Sequence, residues 1–147
     1  LTSEFMNAEA LKLRASGRRC VVLHVFLFAN GISARTLLNA GEGFACYRCQ
    51  RPVLAHPWID DPRKDVKATP TINPADCGDG PFVPFSVGAP VSAATTALAA
   101  VIDFLSGKVG HRMRNQCLDP NLAKEVRDKS PVAHADCPAC SGRKGPV

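Results

Sequence analysis

The stretch Cys20-Val-Val-Leu-His-Val-Phe-Leu-Phe28, followed by Asn30-Gly31 and Ile32-Ser-Ala-Arg-Thr-Leu-Leu38, decides how this chain folds. The first segment is nearly continuous in β-branched, aromatic and aliphatic residues. That composition predicts a strand buried on both faces, as in a sheet covered by helices. Asn-Gly is a strong signal for a tight hairpin turn, so Ile32 to Leu38 reads as the returning strand. Gly41 and Gly43 then lead into a Cys-x-x-Cys knuckle, Cys46-Tyr-Arg-Cys49, and a second knuckle, Cys137-Pro-Ala-Cys140, stands near the other end of the chain.

Outward from the hairpin, the periodicity predicts two helices. Ser3 caps the first, with Glu4 in its opening turn where a negative charge suits the dipole; Phe5, Ala8, Leu11 and Ala15 recur at helical spacing and Gly17 ends it. The second opens near Pro90 and carries Val91, Ala94, Leu98, Val101, Ile102 and Leu105 at 3.6-residue spacing before Gly107. Its many alanines allow close packing on a sheet or another helix. His111 to Leu118 reads as a short strand that Asp119-Pro120 closes. Arg51 to Gly80 holds five prolines and no sustained periodicity, and reads as a long exposed crossover segment. The organisation is a single partial domain: residues 1–50 give helix, strand, hairpin and first knuckle; 51–80 the crossover; 81–140 helix, strand and second knuckle; 141–147 a basic tail.

At 147 residues and 46% hydrophobic content, the chain is long enough for one cored domain and too apolar for a disordered tail. No apolar run approaches the roughly 20 residues of a spanning helix. Glu4 and Glu9 stand where a signal peptide would place a basic start and an apolar run. The chain starts at Leu1 and reads as the later part of something longer, or as a processed product. Its formal charge of +5 is scattered, with no dense basic run interleaved with aromatics, which argues against a nucleic-acid platform.

Seven cysteines is an odd number, and paired Cys-x-x-Cys motifs without an export signal read as metal ligands rather than disulfides. Four thiols in two short-spaced pairs match a closed tetrahedral zinc site. A disulfide closing about 100 residues is worth roughly 4.7 kcal/mol, whereas structural zinc in small domains supplies about 10–16 kcal/mol. Cys46, Cys49, Cys137 and Cys140 are therefore the expected zinc ligands. His134 is the weaker alternative ligand. Cys77 stands apart, just before the apolar helix, as either a nucleophile or an inert loop thiol. Gly78 and Gly80 leave room for an approaching chain, while Asp76 and Asp79 would raise the thiol's pKa. Cys20 and Cys117 read as small buried hydrophobes, His24 as a hydrogen-bonded core histidine, and Arg35 as ordinary surface. The run His56-Pro-Trp-Ile-Asp-Asp reads as an exposed loop anchored by its tryptophan.

The order of these elements resembles the C-terminal half of ubiquitin-activating-type adenylyltransferases, the ThiF/MoeB family, over Asn7 to Cys140. The features that carry the likeness are the buried strand and hairpin, Cys46-Tyr-Arg-Cys49, the loop with its lone cysteine, Gly80-Pro-Phe-Val-Pro-Phe85, the Ala-rich helix ending Leu-Ser-Gly107, and the final Cys-Pro-x-Cys. His24-Val-Phe-Leu-Phe-Ala-Asn-Gly-Ile-Ser-Ala-Arg35 brings the likeness nearest to bacterial members from ubiquitin-like conjugation and antiviral defence operons.

The resemblance implies an α/β fold, half of a Rossmann-like activating-enzyme domain with a mixed sheet. It implies adenylation of the C-terminus of a ubiquitin-like or sulfur-carrier protein with ATP and Mg2+, and transfer to Cys77 as a thioester. It further implies a structural Zn2+ on the four knuckle cysteines, a conjugating enzyme downstream, a homodimeric parent and a cytoplasmic setting, with neither nucleic acid nor membrane as partner. No Gly-x-Gly-x-x-Gly occurs in the chain, so the ATP half is expected in a missing N-terminal portion. The reading from a different class is a non-catalytic, zinc-stapled protein-binding module.

Overall fold

A computed structural model of the chain describes residues 2–28, 31–41, 43–50, 62–64, 86–108 and 110–140. Cys77, the segment His56-Pro-Trp-Ile-Asp-Asp, Gly80 to Phe85 and the basic tail lie outside the described residues.

The described chain is a small α/β unit: helix α1 (Thr2–Ala15), strands β1 (Val22–Phe28) and β2 (Ser33–Asn39), a 3-10 turn over Tyr47–Gln50, helix α2 (Gly88–Leu105) and strand β3 (Met113–Cys117). The sheet order is β1-β2-β3 and both pairings are antiparallel. This departs from the mixed sheet expected of a Rossmann-like half, because the hairpin at Gly31 and the return of β3 against β2 both reverse direction. Gly31 has φ 79°, the left-handed conformation that the tight turn needs, and its N–H donates to the Phe28 carbonyl at 3.1 Å.

The middle strand is not the one whose composition suggests it. β1 lies at an edge and is mostly half-buried, with Val25 exposed, while β2, reading Ser-Ala-Arg-Thr-Leu-Leu-Asn, is buried at every position. Burial follows place in the sheet here rather than apolar content. One face of β2 carries Ala34, Thr36 and Leu38 toward α2. The opposite face carries Arg35, Leu37 and Asn39, with Leu37 packed among the knuckle cysteines.

Both helices present a different side from the one their apolar periodicity predicts. In α1 the buried residues are Asn7 and Ala10, and Phe5 is exposed. In α2 the alanines at 89, 93 and 100 are buried, whereas Val91, Leu98, Ile102 and Leu105 face outward, Leu98 at 60% and Leu105 at 77% exposure. Small side chains let the α2 backbone come close to the strands, and that leaves its large residues outside.

By length and composition α2 could also cross a membrane. In this fold it is fastened along the sheet: Arg114 of β3 pairs with Asp103 at 2.7 Å, and the Thr96 hydroxyl donates to Gln116 Oε1 at 2.8 Å.

Arg35 is a further correction. It is 1% exposed, its guanidinium sits 4.8 Å from the Phe28 ring centroid, and its Nε donates to Asn115 Oδ1 at 2.5 Å. It is a core cation that links β2 to both neighbours, not ordinary surface.

Candidate metal centre

Two short backbone pairings bring the distant knuckles into register. Ala45 N–H donates to the Pro131 carbonyl and Ala133 N–H donates to the Gly43 carbonyl, each at 2.8 Å, so residues 43–45 and 131–133 run antiparallel just before their knuckles. Lys129 and Met113 exchange a further pair of bonds at 2.8 and 3.0 Å, which anchors the second strip to β3. Each knuckle then turns on its own local bond, Cys49 N–H to the Cys46 carbonyl at 3.1 Å and Cys137 N–H to the His134 carbonyl at 3.0 Å.

The sulfurs of Cys46, Cys49, Cys137 and Cys140 all lie within 4.8 Å of one another. Cys46 and Cys137 are 3.8 Å apart, and Cys49 and Cys140 3.4 Å. A disulfide needs about 2.05 Å between sulfurs. A tetrahedron with metal–sulfur bonds of about 2.3 Å has edges of about 3.8 Å, close to what is found. Cys46, Cys49 and Cys137 are buried and Cys140 is half-buried.

The electrostatics of the cluster lead to the same donor chemistry. Hydrogen bonds from the Cys140 and Cys46 thiols, with backbone support from His134 and Cys46, pull the Cys49 thiol well below its ordinary range. Cys140, which donates to Cys46 and Cys49 and is partly buried, is held well above that range. At Cys46 the Cys140 contact pulls downward. The bond to Cys49, burial and the charges of Cys49 and Cys137 outweigh it and push the thiol up to about 12. One sulfur ionises readily and its neighbours then resist. Ionising all four at these distances would need a compensating cation, and a divalent metal such as zinc fits both the spacing and the softness of the donors.

His134 stands outside the four-sulfur cluster. Its Nδ1 accepts the Asp136 N–H at 3.0 Å, and its carbonyl shapes the second knuckle. Cys117 and Cys20 are half-buried rather than buried; the Cys117 thiol donates to the Ala123 carbonyl at 3.9 Å. His24 is 4% exposed and stacks on Tyr47 with centroids 4.7 Å apart, yet its Nε2 has no hydrogen-bond partner among the described residues. It is a core histidine as the sequence suggests, with Nε2 unpaired among the described residues, and burial lowers its pKa to about 4. Cys77 lies outside the described residues.

Residues that the sequence did not single out complete the centre. Asn7 of α1, 2% exposed, donates from Nδ2 to the Cys46 sulfur at 3.7 Å. Its Oδ1 accepts the Tyr47 N–H at 3.1 Å and Asn39 Nδ2 at 2.9 Å. Asn39 Oδ1 in turn accepts from Arg14 Nη1 at 2.9 Å, and its carbonyl accepts a short bond from Arg14 Nη2. The available signal was the i, i+3, i+7 spacing of Asn7, Ala10 and Arg14, a polar face that amphipathic reasoning assigns to solvent.

No protein-family model matches the chain. It is 25% identical over 124 residues to the ATP-dependent ubiquitin transferase-like protein Cap2 of Pseudomonas aeruginosa (strain BWHPSA011 / Pa011), a match covering 82% of this chain and 22% of that protein. The chain thus spans about a fifth of the length of the curated relative it matches, and bears a distant likeness to a ubiquitin transferase-like protein.

Proposed function

We propose that this chain is the zinc-bearing, thioester-forming part of an ATP-dependent enzyme that activates a ubiquitin-like or sulfur-carrier protein. One observation carries the reading: four sulfurs from knuckles separated by residues 50–136 converge within a chain of which 82% matches an ATP-dependent ubiquitin transferase-like protein. In this reading the domain is the C-terminal half of a ThiF-type fold. ATP and Mg2+ are held by a portion of the parent outside this sequence, which itself has no Gly-rich phosphate loop.

The carrier's terminal carboxylate attacks the α-phosphorus of ATP and pyrophosphate leaves. The Cys77 thiolate then attacks the carbonyl carbon of the acyl-adenylate, AMP leaves with the bonding electron pair, and the acyl group rests on sulfur as a thioester. The metal at Cys46, Cys49, Cys137 and Cys140 is structural, since a closed all-thiolate set leaves no position for substrate. The thioester passes to a conjugating enzyme or acceptor, the parent works as a homodimer, and the setting is the reducing cytoplasm. A second reading, a zinc-stapled binding module without catalysis, draws on the outward apolar row of α2, Val91, Leu98, Ile102 and Leu105, a surface suited to protein contact.

The test uses the full-length protein produced together with the proteins encoded beside it. Addition of ATP and Mg2+ is expected to give a covalent adduct that dithiothreitol releases. Cys77→Ser should convert it to a thiol-resistant, hydroxide-labile ester, and Cys77→Ala should abolish it. A dithiothreitol-labile adduct that persists in Cys77→Ala refutes the nucleophile. Absence of both adduct and ATP–pyrophosphate exchange in the unmodified protein leaves the binding-module reading.

A further inference from the structure

A buried polar group beside the four sulfurs belongs to neither knuckle. It is the carboxamide of Asn7, on a helix separated from the first knuckle by the whole β-hairpin. Buried amides are costly unless every strong donor and acceptor is met, and this one is turned by its surroundings. Two N–H groups, from Tyr47 and Asn39, converge on Oδ1 at 3.1 and 2.9 Å, which forces Nδ2 toward the Cys46 sulfur at 3.7 Å. The orientation of the amide is therefore fixed by its acceptor side and spent on its donor side.

The acceptor side is itself fixed. Asn39 is held by the Arg14 fork, with Nη1 on its side chain and Nη2 on its carbonyl, and Arg14 Nε donates to the Cys20 carbonyl at 2.8 Å. Arg14 thereby spans the gap between the start of β1 and the end of β2. Gly41 lies alongside the Arg14 side chain and has φ 85°, the left-handed conformation that favours glycine there.

We infer that Asn7 is a positioning residue of the metal centre. It donates to the Cys46 thiolate, and the relay Arg14–Asn39–Asn7 makes docking of α1 part of metal retention. This rests on the reading of the four cysteines as metal ligands. An N–H···S bond draws charge from a ligating thiolate and fixes its direction, and partners of this kind typically change metal affinity 10- to 100-fold when removed. The coupling runs both ways. A loaded centre orders Tyr47 and Cys46 as partners for Asn7, and an undocked α1 leaves Cys46 without its donor.

The experiment uses the full-length protein with Co2+ as the probe, because sulfur-to-cobalt charge-transfer bands report on the thiolates directly. Asn7→Asp keeps an oxygen for Tyr47 and Asn39 but cannot donate to Cys46 when ionised. It is expected to shift the charge-transfer band and to lose metal to a chromophoric chelator 10- to 100-fold more readily. Asn39→Ala leaves the Asn7–Cys46 bond possible but untethered, and is expected to accelerate release by a smaller factor with a smaller shift. If the unmodified protein takes up no cobalt, the metal reading fails and this inference with it. If it takes up cobalt while Asn7→Asp shows the same band and the same release rate, the metal reading stands and the role of Asn7 is overturned. A variant that merely unfolds earlier, with band and affinity unchanged below its transition, overturns it equally.

Discussion

Under the proposed function, withdrawal of a metal from the four cysteines is expected to destabilise this fold strongly, and the size of the effect follows from what the four sulfurs hold together. The cluster around Leu37 and Met113 is completed by Ala45, Cys46, Cys49 and Cys137, so cysteines make up half of its buried members. With the metal absent, the link between the two knuckles rests on the strip pairing Gly43 and Ala45 with Pro131 and Ala133. Releasing a cross-link around a loop of about 100 residues returns roughly 4.7 kcal/mol of chain entropy, the smallest part of the loss. The bonds themselves bring the total for structural zinc to about 10–16 kcal/mol, against a net domain stability of about 5–15 kcal/mol. Even the lower figure of about 5 kcal/mol corresponds to between three and four decades of amide protection at 1.4 kcal/mol per decade. Hydrogen exchange by mass spectrometry on a peptide covering Ser33–Asn39 reads this in the full-length protein, before and after a strong chelator, with elemental analysis confirming that the metal has gone. The expected result is a protection loss of at least a thousandfold, restored by zinc. Unchanged exchange of β2 in protein shown to be metal-free would refute the reasoning.

Two further substitutions probe the core. Arg35→Ala removes a buried hydrogen bond to Asn115 and a ring contact with Phe28; a charged hydrogen bond and a desolvated cation–π pair together suggest a cost of about 3 kcal/mol, read by denaturant titration, and a cost under about 1 kcal/mol would contradict its core role. His24 is held near pKa 4 in the fold against 6.5 as its ordinary value, so the unfolded chain binds more protons between those limits. Stability from this residue is fully present above about pH 6.5 and is lost as pH falls toward 4, by up to about 3 kcal/mol, and His24→Phe should remove that part of the slope.

Much of the architecture is legible because local chemistry dictates it. Asn30-Gly31 announces the hairpin, Gly107 marks where the second helix stops, and Pro90 suits that helix's first turn. The four ligand candidates are legible because Cys-x-x-Cys geometry aims two sulfurs with one turn. What escapes is everything decided by neighbours. β2 carries Ser33, Arg35, Thr36 and Asn39 and is nevertheless the buried strand, because a partner on each side removes it from water. The row from Val91 to Leu105 has the periodicity of a core face, yet the alanine face approaches the strands more closely and takes that place. Asn7 and Arg14 look like solvent-facing residues until Asn39 and Cys46 supply their partners.

Under the proposed function, closing the long loop with a metal rather than a disulfide has a chemical reason. A thioester requires a free thiolate at Cys77, and conditions oxidising enough to keep a Cys46–Cys137 disulfide would also consume that thiol. Coordination resolves the conflict. The four knuckle sulfurs, 3.4 to 3.8 Å apart within their closest pairs, are occupied as ligands and withdrawn from exchange in a reducing environment. Cys77 lies between the two knuckles in sequence and matches neither spacing, so it stays outside the ligand set. Selective alkylation separates these roles: in metal-loaded full-length protein an iodoacetamide probe should modify Cys77 well before any of the four, and chelation should abolish that preference. Equal labelling of the knuckle cysteines with metal demonstrably bound would break the link between scaffold and chemistry.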